Sequence, residues 1–191
     1  MKPRLGISAC LLGQSVRYDG GHKRDDALVE TLGPRVEWVP VCPEVECGLT
    51  VPREIMHLVG TSAAPRIVTV SSNLDHTEKL LSWANARAAE LRQERLCGFI
   101  FKARSPSCGL AVAVCRSGQQ TRRESTADPE PTAVGLWARV FTAAFPQLPV
   151  ADELRLQDVL RRNHFLEQAL AFAAANGHNA RAASARRAAP K

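Results

Sequence analysis

The chain has 191 residues, of which 45% are hydrophobic and 23% are charged. These values are typical of a globular protein and exclude a disordered or fibrous chain, and the length suits one domain with or without a tail. The formal net charge is +6, but four positive charges and no acid lie within residues 176–191, which leaves +2 for the rest. This nearly neutral body makes nucleic-acid binding an unfavoured interpretation, because that function requires clustered basic residues on the folded surface.

The cellular compartment is predicted from the lack of a membrane span, the lack of a signal peptide and the number of cysteines. No stretch reaches the roughly 18 consecutive apolar residues of a membrane span, and the first ten residues lack the apolar length of a signal peptide. We therefore expect a cytoplasmic protein that has no contact with membranes. Six cysteines in a cytosolic chain of this size indicate metal binding or catalysis rather than disulfide bonds, and some are expected to be buried as small apolar side chains.

The predicted elements alternate along the chain. Short apolar runs with β-branched or aromatic residues predict strands, and apolar residues at helical spacing with capping signals predict helices. In chain order these are strand 3–9, helix 25–32 ending at a Gly-Pro pair, strand 36–41, strand 66–72, helix 76–95 with Asp75 as N-cap, strand 97–103, helix 133–144 and at least one helix within 152–174.

This alternation predicts an α/β fold, with a single domain built on a mostly parallel sheet flanked by helices in a Rossmann-like three-layer arrangement. We expect the domain to cover residues 1–175 and residues 176–191 to form a disordered basic tail. The polar run 116–132 is too hydrophilic for a core and is long enough to be a mobile lid.

Three cysteines are predicted to lie together. Cys10 follows the first strand, Cys42 follows the second, and Cys108 lies in the loop after strand 97–103. Parallel strands end at the same edge of a sheet, where open α/β folds bind ligands. Cys97 instead begins its strand, and seven residues at about 3.3 Å each place it roughly 20 Å away. Cys47, five residues after Cys42, remains a rival ligand.

Three thiolates suit zinc or an iron-sulfur cluster. A structural zinc site requires four protein ligands, whereas a 4Fe-4S cluster held by three cysteines leaves one iron open to a substrate. No C-x-x-C pair occurs, so the spacing alone leaves buried, inert cysteines as an alternative. Cys115 ends the run L-A-V-A-V-C and is interpreted as a structural thiol.

Four sequence blocks carry a family resemblance. They are S-A-C-L-L-G, V-R-Y-D-G-G-H-K, P-V-C-P-E-V-x-x-G-L-x-x-P-R and K-A-R-S-P-S-C-G, and together they span residues 8–109. They resemble the signature blocks of the bacterial domain family that contains thiouracil desulfidase. Weaker similarity extends to about residue 165.

The resemblance implies a 4Fe-4S cluster on Cys10, Cys42 and Cys108, with one iron not ligated by protein. It also implies catalytic roles for Glu44, the acid of C-P-E, and for Ser105, the first serine of S-P-S-C-G. The expected reaction is a non-redox desulfuration of a thiolated pyrimidine such as 2-thiouracil or 4-thiouracil. In it the open iron polarises the thiocarbonyl group, water attacks the carbon, Glu44 transfers protons and Ser105 positions substrate or water.

Further residues are candidates for binding the thiolated nucleobase. The Gly20-Gly21 turn is expected to bring the polar residues around it to the same edge. The substrate-binding candidates are Arg17, Tyr18, Asp19, Lys23 and Ser107.

Several alternatives remain open. Asp19 and Lys23 could instead support the loop structure, and Ser107 could instead cap the turn. Arg53 is expected to shape a loop or to brace a carboxylate. The alternative function is a metal-binding scaffold or sulfur carrier, in which zinc or a fourth thiol such as Cys47 closes the site. A protein that reads thiolated RNA through its basic tail is a weaker hypothesis, because aromatic residues make up only 5% of the chain.

Overall fold

A computed structural model describes residues 2–115 and 132–177 of the chain. The strands in it are β1 Arg4–Ser8, β2 Glu37–Val41, β3 Met56–Gly60, β4 Pro65–Thr69, β5 Leu96–Phe101, β6 Val112–Cys115, β7 Thr132–Ala133 and β8 Val150–Asp152. The helices are α1 Asp26–Leu32, α2 Pro43–Glu46, α3 Thr77–Leu91, α4 Leu136–Ala144 and α5 Val159–Ala175, and short 3-10 turns lie at Ala9–Leu12 and Arg155–Gln157.

The main sheet has four strands in the order β2-β1-β5-β8, and every neighbouring pair is parallel. All four strands therefore end at one edge, and the segments that follow β1, β2 and β5 begin there. The predicted α/β class with a mostly parallel sheet is confirmed.

Apolar side chains cover both faces of this sheet. On one face Leu5 and Ile7 of β1 pack with residues of α1 and α5, such as Leu28 and Phe165. The opposite face carries an aromatic cluster in which Phe99 and Phe101 of β5 pack against α4 through Trp137 and Phe141, with α3 alongside. The result is the expected helix-sheet-helix layering.

A second sheet was not predicted. Its order is β4-β3-β6-β7, with β3 antiparallel to β4 and parallel to β6. The strand expected at 66–72 is β4, so it lies outside the main sheet. It forms a hairpin with β3, which sequence periodicity missed, through the short connection 61–64. Leu80 of α3 and Leu136 of α4 pack on this second sheet.

The predicted helices exist, but their starts differ. The N-cap residue of α3 is His76 rather than the predicted Asp75, and the helix ends at Leu91 rather than at 95. The Asp75 carboxylate, one residue before the N-cap, accepts a hydrogen bond from the Thr77 amide at 2.8 Å. Helix α4 begins at Leu136 because residues 132–133 pair with β6. Helix α5 begins later than expected because residues 150–152 form β8.

Two predicted segments are not described. The expected lid at 116–132 and the expected tail at 176–191 lie outside the described residues, apart from Thr132, Asn176 and Gly177. Within the described part of the chain, no helix combines the length and the apolar character needed to cross a bilayer.

Candidate functional site

A cavity of about 330 Å³ opens at the carboxyl edge of the main sheet. Four segments form its walls: the end of β1 with the loop after it, the start of α2, residues 53–56, and the loop after β5. The lining includes polar, thiol and cationic side chains, namely Ser8, Cys10, Arg17, Tyr18, Lys23, Cys42, Glu44, Arg53, Glu54, Lys102, Arg104, Ser105 and Cys108.

All three cysteines that the strand topology selected line this cavity. Cys10 lies in the 3-10 turn directly after β1, Cys42 is the N-cap residue of α2, and Cys108 lies in the loop after β5. Burial is the main cause that raises the pKa values of Cys10 and Cys108, and the nearby cysteines raise them further, Cys42 acting on Cys10 and both Cys10 and Cys42 acting on Cys108. The three thiols are therefore neighbours in one cavity.

Burial keeps these thiols protonated. Desolvation is the main cause that raises the pKa of Cys10 to about 11, and it also raises the pKa of Cys42. Desolvation raises the pKa of Cys108 well above its usual value, although a hydrogen bond with the Ser8 side chain opposes this shift. A cationic centre that binds here must displace the thiol protons.

The donor set fits an iron-sulfur cluster, because three soft sulfur ligands surround one cavity. Within residues 2–115 and 132–177, no group of three or more His, Cys, Asp or Glu side chains is already arranged to hold a metal ion.

The remaining cysteines lie elsewhere. Cys97 is the second residue of β5, and its thiol contacts the carbonyl oxygen of Arg4 at 3.1 Å, at the opposite edge of the sheet. Cys47, the rival ligand, contacts the carbonyl oxygen of Glu44 at 3.2 Å and is not part of the cavity lining. Cys115 ends β6 in the second sheet.

Glu44 is held at both carboxylate oxygens. Arg53 forms an ion pair with Oε2 through Nε at 2.8 Å and through Nη2, and the Ser107 hydroxyl donates to Oε1. The Arg53 side chain is only 8% exposed, and it also donates to the carbonyl oxygens of Val16 at 3.0 Å and Thr50 at 3.2 Å. These contacts agree with the expectation that Arg53 braces a carboxylate.

The two serines of S-P-S-C-G occupy different places. Ser105 lines the cavity, and its Oγ accepts hydrogen bonds from the amides of Ser107 at 3.3 Å and Cys108 at 3.2 Å. Ser107 is fully buried and does not line the cavity. The turn-capping role considered for Ser107 is thus performed by Ser105, while Ser107 contacts Glu44.

Three of the candidates around the Gly20-Gly21 turn reach the cavity, namely Arg17, Tyr18 and Lys23. The Arg17 guanidinium lies 5.2 Å from the Tyr18 ring centroid. Asp19 does not line the cavity. Its carboxylate accepts a hydrogen bond from the Gly21 amide at 3.0 Å and lies 3.5 Å from Arg17. These contacts agree with the alternative in which Asp19 supports the loop.

Sequence reasoning missed a buried ion pair beside the cavity. Lys102 follows β5 and lines the cavity, where it pairs with Glu153, which is only 5% exposed. Glu153 also accepts a hydrogen bond from the Ala103 amide at 2.6 Å, and the Lys102 amide donates to Ser8 Oγ at 2.9 Å. The sequence signal that could have indicated this ion pair is the position of Lys102 directly after a wholly apolar strand.

The loop that carries Cys108 supports the start of α4. The amides of Gly135 and Trp137 donate to the carbonyl oxygens of Gly109 at 2.8 Å and Ser107 at 2.9 Å, and the Leu136 amide donates to Pro106 at 3.2 Å. These bonds satisfy amides that a helix N-terminus leaves unpaired, so the position of the loop depends on α4.

The fold and the site define an α/β protein with a thiol-lined cavity at the carboxyl edge of a parallel sheet. Residues 5–153 match the model of the 2-thiouracil desulfurase family, and the chain belongs to this family. The family expected from the sequence blocks is thereby confirmed.

Two individual proteins illustrate the similarity. The uncharacterized protein YbbK of Bacillus subtilis is 30% identical over 109 residues, which are 54% of this chain and 71% of that relative. The solved structure of the 4Fe-4S-dependent thiouracil desulfidase TudS superimposes with a TM-score of 0.59 at 28% identity, covering 82% of this chain and 94% of that one.

Proposed function

We propose that this protein is an iron-sulfur-dependent desulfidase that converts a thiolated pyrimidine, such as 2-thiouracil or 4-thiouracil, to the oxo base and sulfide. The observation that carries the proposal is the meeting of three thiols from three strand ends beside Glu44 in one cavity. Family membership supports the substrate class, and the cofactor named for the similar TudS structure supports the cluster. A cytoplasmic location fits a site that needs reduced thiols.

In this proposal Cys10, Cys42 and Cys108 hold a 4Fe-4S cluster, and one iron has no protein ligand. When bound, such a cluster supplies a Lewis-acidic iron that polarises the thiocarbonyl group of the substrate. The overall reaction consumes only water and is not a redox reaction.

The surrounding side chains bind the base and move protons. Arg17, Tyr18 and Lys23 line the cavity and are the proposed contacts of the planar heterocycle. Ser105 orients substrate or water through its hydroxyl group. Glu44 takes a proton from the attacking water and returns one to the leaving sulfur.

The experiment measures sulfide release from 2-thiouracil and from 4-thiouracil by anaerobically reconstituted protein, with iron and sulfide content determined in every sample. Glu44→Gln should retain the cluster and lose about 10²- to 10⁴-fold in rate, the usual contribution of general acid-base catalysis. Ser105→Ala should lose less, because a neutral hydrogen bond contributes only about 0.5–1.5 kcal/mol. Glu78→Gln, on the exposed surface of α3, is the matched control and should match the unmodified protein.

Two results would count against this function. Fully reconstituted, unmodified protein that releases no sulfide from either base would contradict the proposed substrate class. Full activity in Glu44→Gln would leave the substrate class intact but remove Glu44 as the proton-transfer group.

A further inference from the structure

The Glu46 carboxylate joins the backbone of Cys42 to helix α3. Its Oε1 accepts a hydrogen bond from the Cys42 amide at 2.8 Å, and its Oε2 lies 3.2 Å from Nε of Arg87, a residue of α3. The side chains of Glu46 and Arg87 are 31% and 21% exposed, and Glu46 is not part of the cavity lining. Glu46 therefore contacts one of the three cavity cysteines through its backbone and not through the cavity.

The position of Cys42 leaves its amide outside both regular backbone patterns. Cys42 lies one residue after β2, whose last ladder pair joins Val41 to Ser8. It is also the N-cap residue of α2, and the first amides of a helix have no acceptor within the helix. An acidic side chain near the start of a helix can bond back to the N-cap amide, and Glu46 does so here.

The Cys42 thiol makes no capping bond to α2 and instead lines the cavity. The direction of a Cα–Cβ bond follows from the orientation of the backbone at that residue, so a contact that holds the amide also holds the thiol. We propose that Glu46, braced by Arg87, is a positioning residue that keeps Cys42 in place for cluster binding. The proposal rests on the cluster ligands of the function proposed above and adds a residue that supports one of them.

Helix α3 is a firm support for this contact. Its Ala84, Ala88 and Leu91 are buried in the aromatic cluster on the main sheet. The same helix also holds the other end of α2, because Lys79 Nζ donates to the carbonyl oxygen of Gly48 at 3.0 Å. A helix as short as α2, which has four residues, is not stable alone. It therefore takes its position from α3.

The other two cavity cysteines are held by bonds within their own loops. The carbonyl oxygen of Cys10 accepts a hydrogen bond from the Gly13 amide at 3.2 Å, and the Cys108 amide donates to Ser105 Oγ at 3.2 Å. Cys42 differs because its amide is bound by a side chain that a separate helix holds. Loss of that side chain should therefore displace Cys42 and leave the other two loops in place.

Two magnitudes separate a positioning role from a general structural one. Partners that orient a metal ligand typically contribute 10- to 100-fold to metal affinity. An ion pair as exposed as that of Glu46 with Arg87 contributes little to the stability of a fold. Its removal should lower the Tm of the cluster-free protein by at most about 4 °C, while cluster binding weakens severalfold or more.

The test follows iron loss from the full chain, reconstituted anaerobically and then exposed to EDTA. Glu46→Ala should release iron about 10- to 100-fold faster than the unmodified protein. Glu46→Gln keeps an oxygen that accepts a bond from the Cys42 amide but carries no charge, so its increase should be smaller. Arg87→Met should match Glu46→Gln, and the double variant should be no faster than either, because both changes break the same ion pair.

Glu90→Gln is the matched control. Glu90 is the other carboxylate that pairs with Arg87, at 2.9 Å, and its side chain is 64% exposed. Since Glu90 does not bind the Cys42 amide, its replacement should leave the rate of iron release unchanged.

The EPR spectrum of the dithionite-reduced cluster supplies a readout that a loss of stability alone does not change. Its g values depend on the geometry of the ligand thiolates. They should shift in Glu46→Ala and in Glu46→Gln and stay unchanged in Glu90→Gln. Because Glu46→Gln is nearly isosteric, this comparison does not depend on the folding of the alanine variant.

Unchanged iron release in both Glu46 variants would overturn the positioning role. Faster release with an unshifted EPR spectrum would do the same, since it indicates a general loss of stability. Unmodified protein that binds no cluster would remove the ligand set and the role of Glu46 together. Loaded, unmodified protein that releases no sulfide from thiouracil would contradict only the desulfidase function, because iron release still decides the role of Glu46.

Discussion

Replacing Gly135 with alanine should displace the loop that carries Cys108, although Gly135 is not part of the cavity lining. An added Cβ would lie 2.6 Å from the carbonyl oxygen of Ser107, 2.7 Å from its carbonyl carbon and 3.0 Å from the amide of Gly109. Real Cβ atoms essentially never approach closer than 3.0 Å. The start of α4 and the loop must therefore move apart.

The expected cost has two parts. Inserting a methyl group into a packed site costs about 1–3 kcal/mol, and each hydrogen bond weakened by the separation contributes about 0.5–1.5 kcal/mol. A total of about 2–4 kcal/mol corresponds to a decrease of roughly 5–15 °C in Tm for a chain of this size, at about 2–4 °C per kcal/mol. The same displacement should reduce the iron bound after anaerobic reconstitution.

The assay compares Tm by circular dichroism with bound iron and sulfide in the same preparations. Gly177→Ala is the control, because its φ of +66° makes alanine unfavourable while an added Cβ there meets no atom of the described residues within 4 Å. It should cost about 1–2 kcal/mol and leave cluster content unchanged. A Gly135→Ala protein with unmodified Tm and full cluster content would refute the reasoning.

Two further predictions concern the thiols and a surface carboxylate. Alanine variants of the three cavity cysteines, Cys10, Cys42 and Cys108, should each lack reconstituted cluster, whereas Cys97→Ala should contain it. Equal iron content in all four proteins would contradict this ligand set. Hydrogen bonds from Thr77 and the ion pair with Arg66 lower the pKa of Asp75 to about 2, so its stabilising contribution should be complete above about pH 4 and disappear as the pH falls toward 2. Asp75→Asn should therefore lower Tm at pH 6 but not at pH 2, as measured by thermal unfolding, and an equal decrease at both values would disprove the assignment.

Three strands of the main sheet, β1, β2 and β5, were predictable because they are dense apolar runs that alternate with helices, whereas β8 was not predicted. Once parallel strands were expected, the position of each cysteine before or after its strand separated Cys97 from Cys10, Cys42 and Cys108. The structure places these three along one cavity, and their ligation of a cluster remains a proposal. Strand pairing was not predictable, since β4 has the same pattern as a strand of the main sheet and only its contacts with β3 assign it elsewhere.

Side-chain directions within the loops were also beyond sequence reasoning. In helices and strands a fixed period determines which residues share a face, but the turn at 104–109 has no period. It begins at Arg104 with a φ of 60°, in the left-handed region, and the next residues turn Ser105 toward the cavity and Ser107 toward Glu44. Similarly, bracing of a carboxylate was one of two expectations for Arg53, but no pattern identified Glu44 as the partner.

The order β2-β1-β5 has a consequence for how the protein is made. Strand β1 pairs with residues 37–41 on one side and with residues 96–100 on the other, and such distant pairings form slowly because long loops must close first. In a zinc finger, by contrast, ligand binding itself drives folding. Here Cys10, Cys42 and Cys108 follow three strands that must lie side by side before the thiols meet, so a chain with a misassembled sheet would lack the thiol-lined cavity.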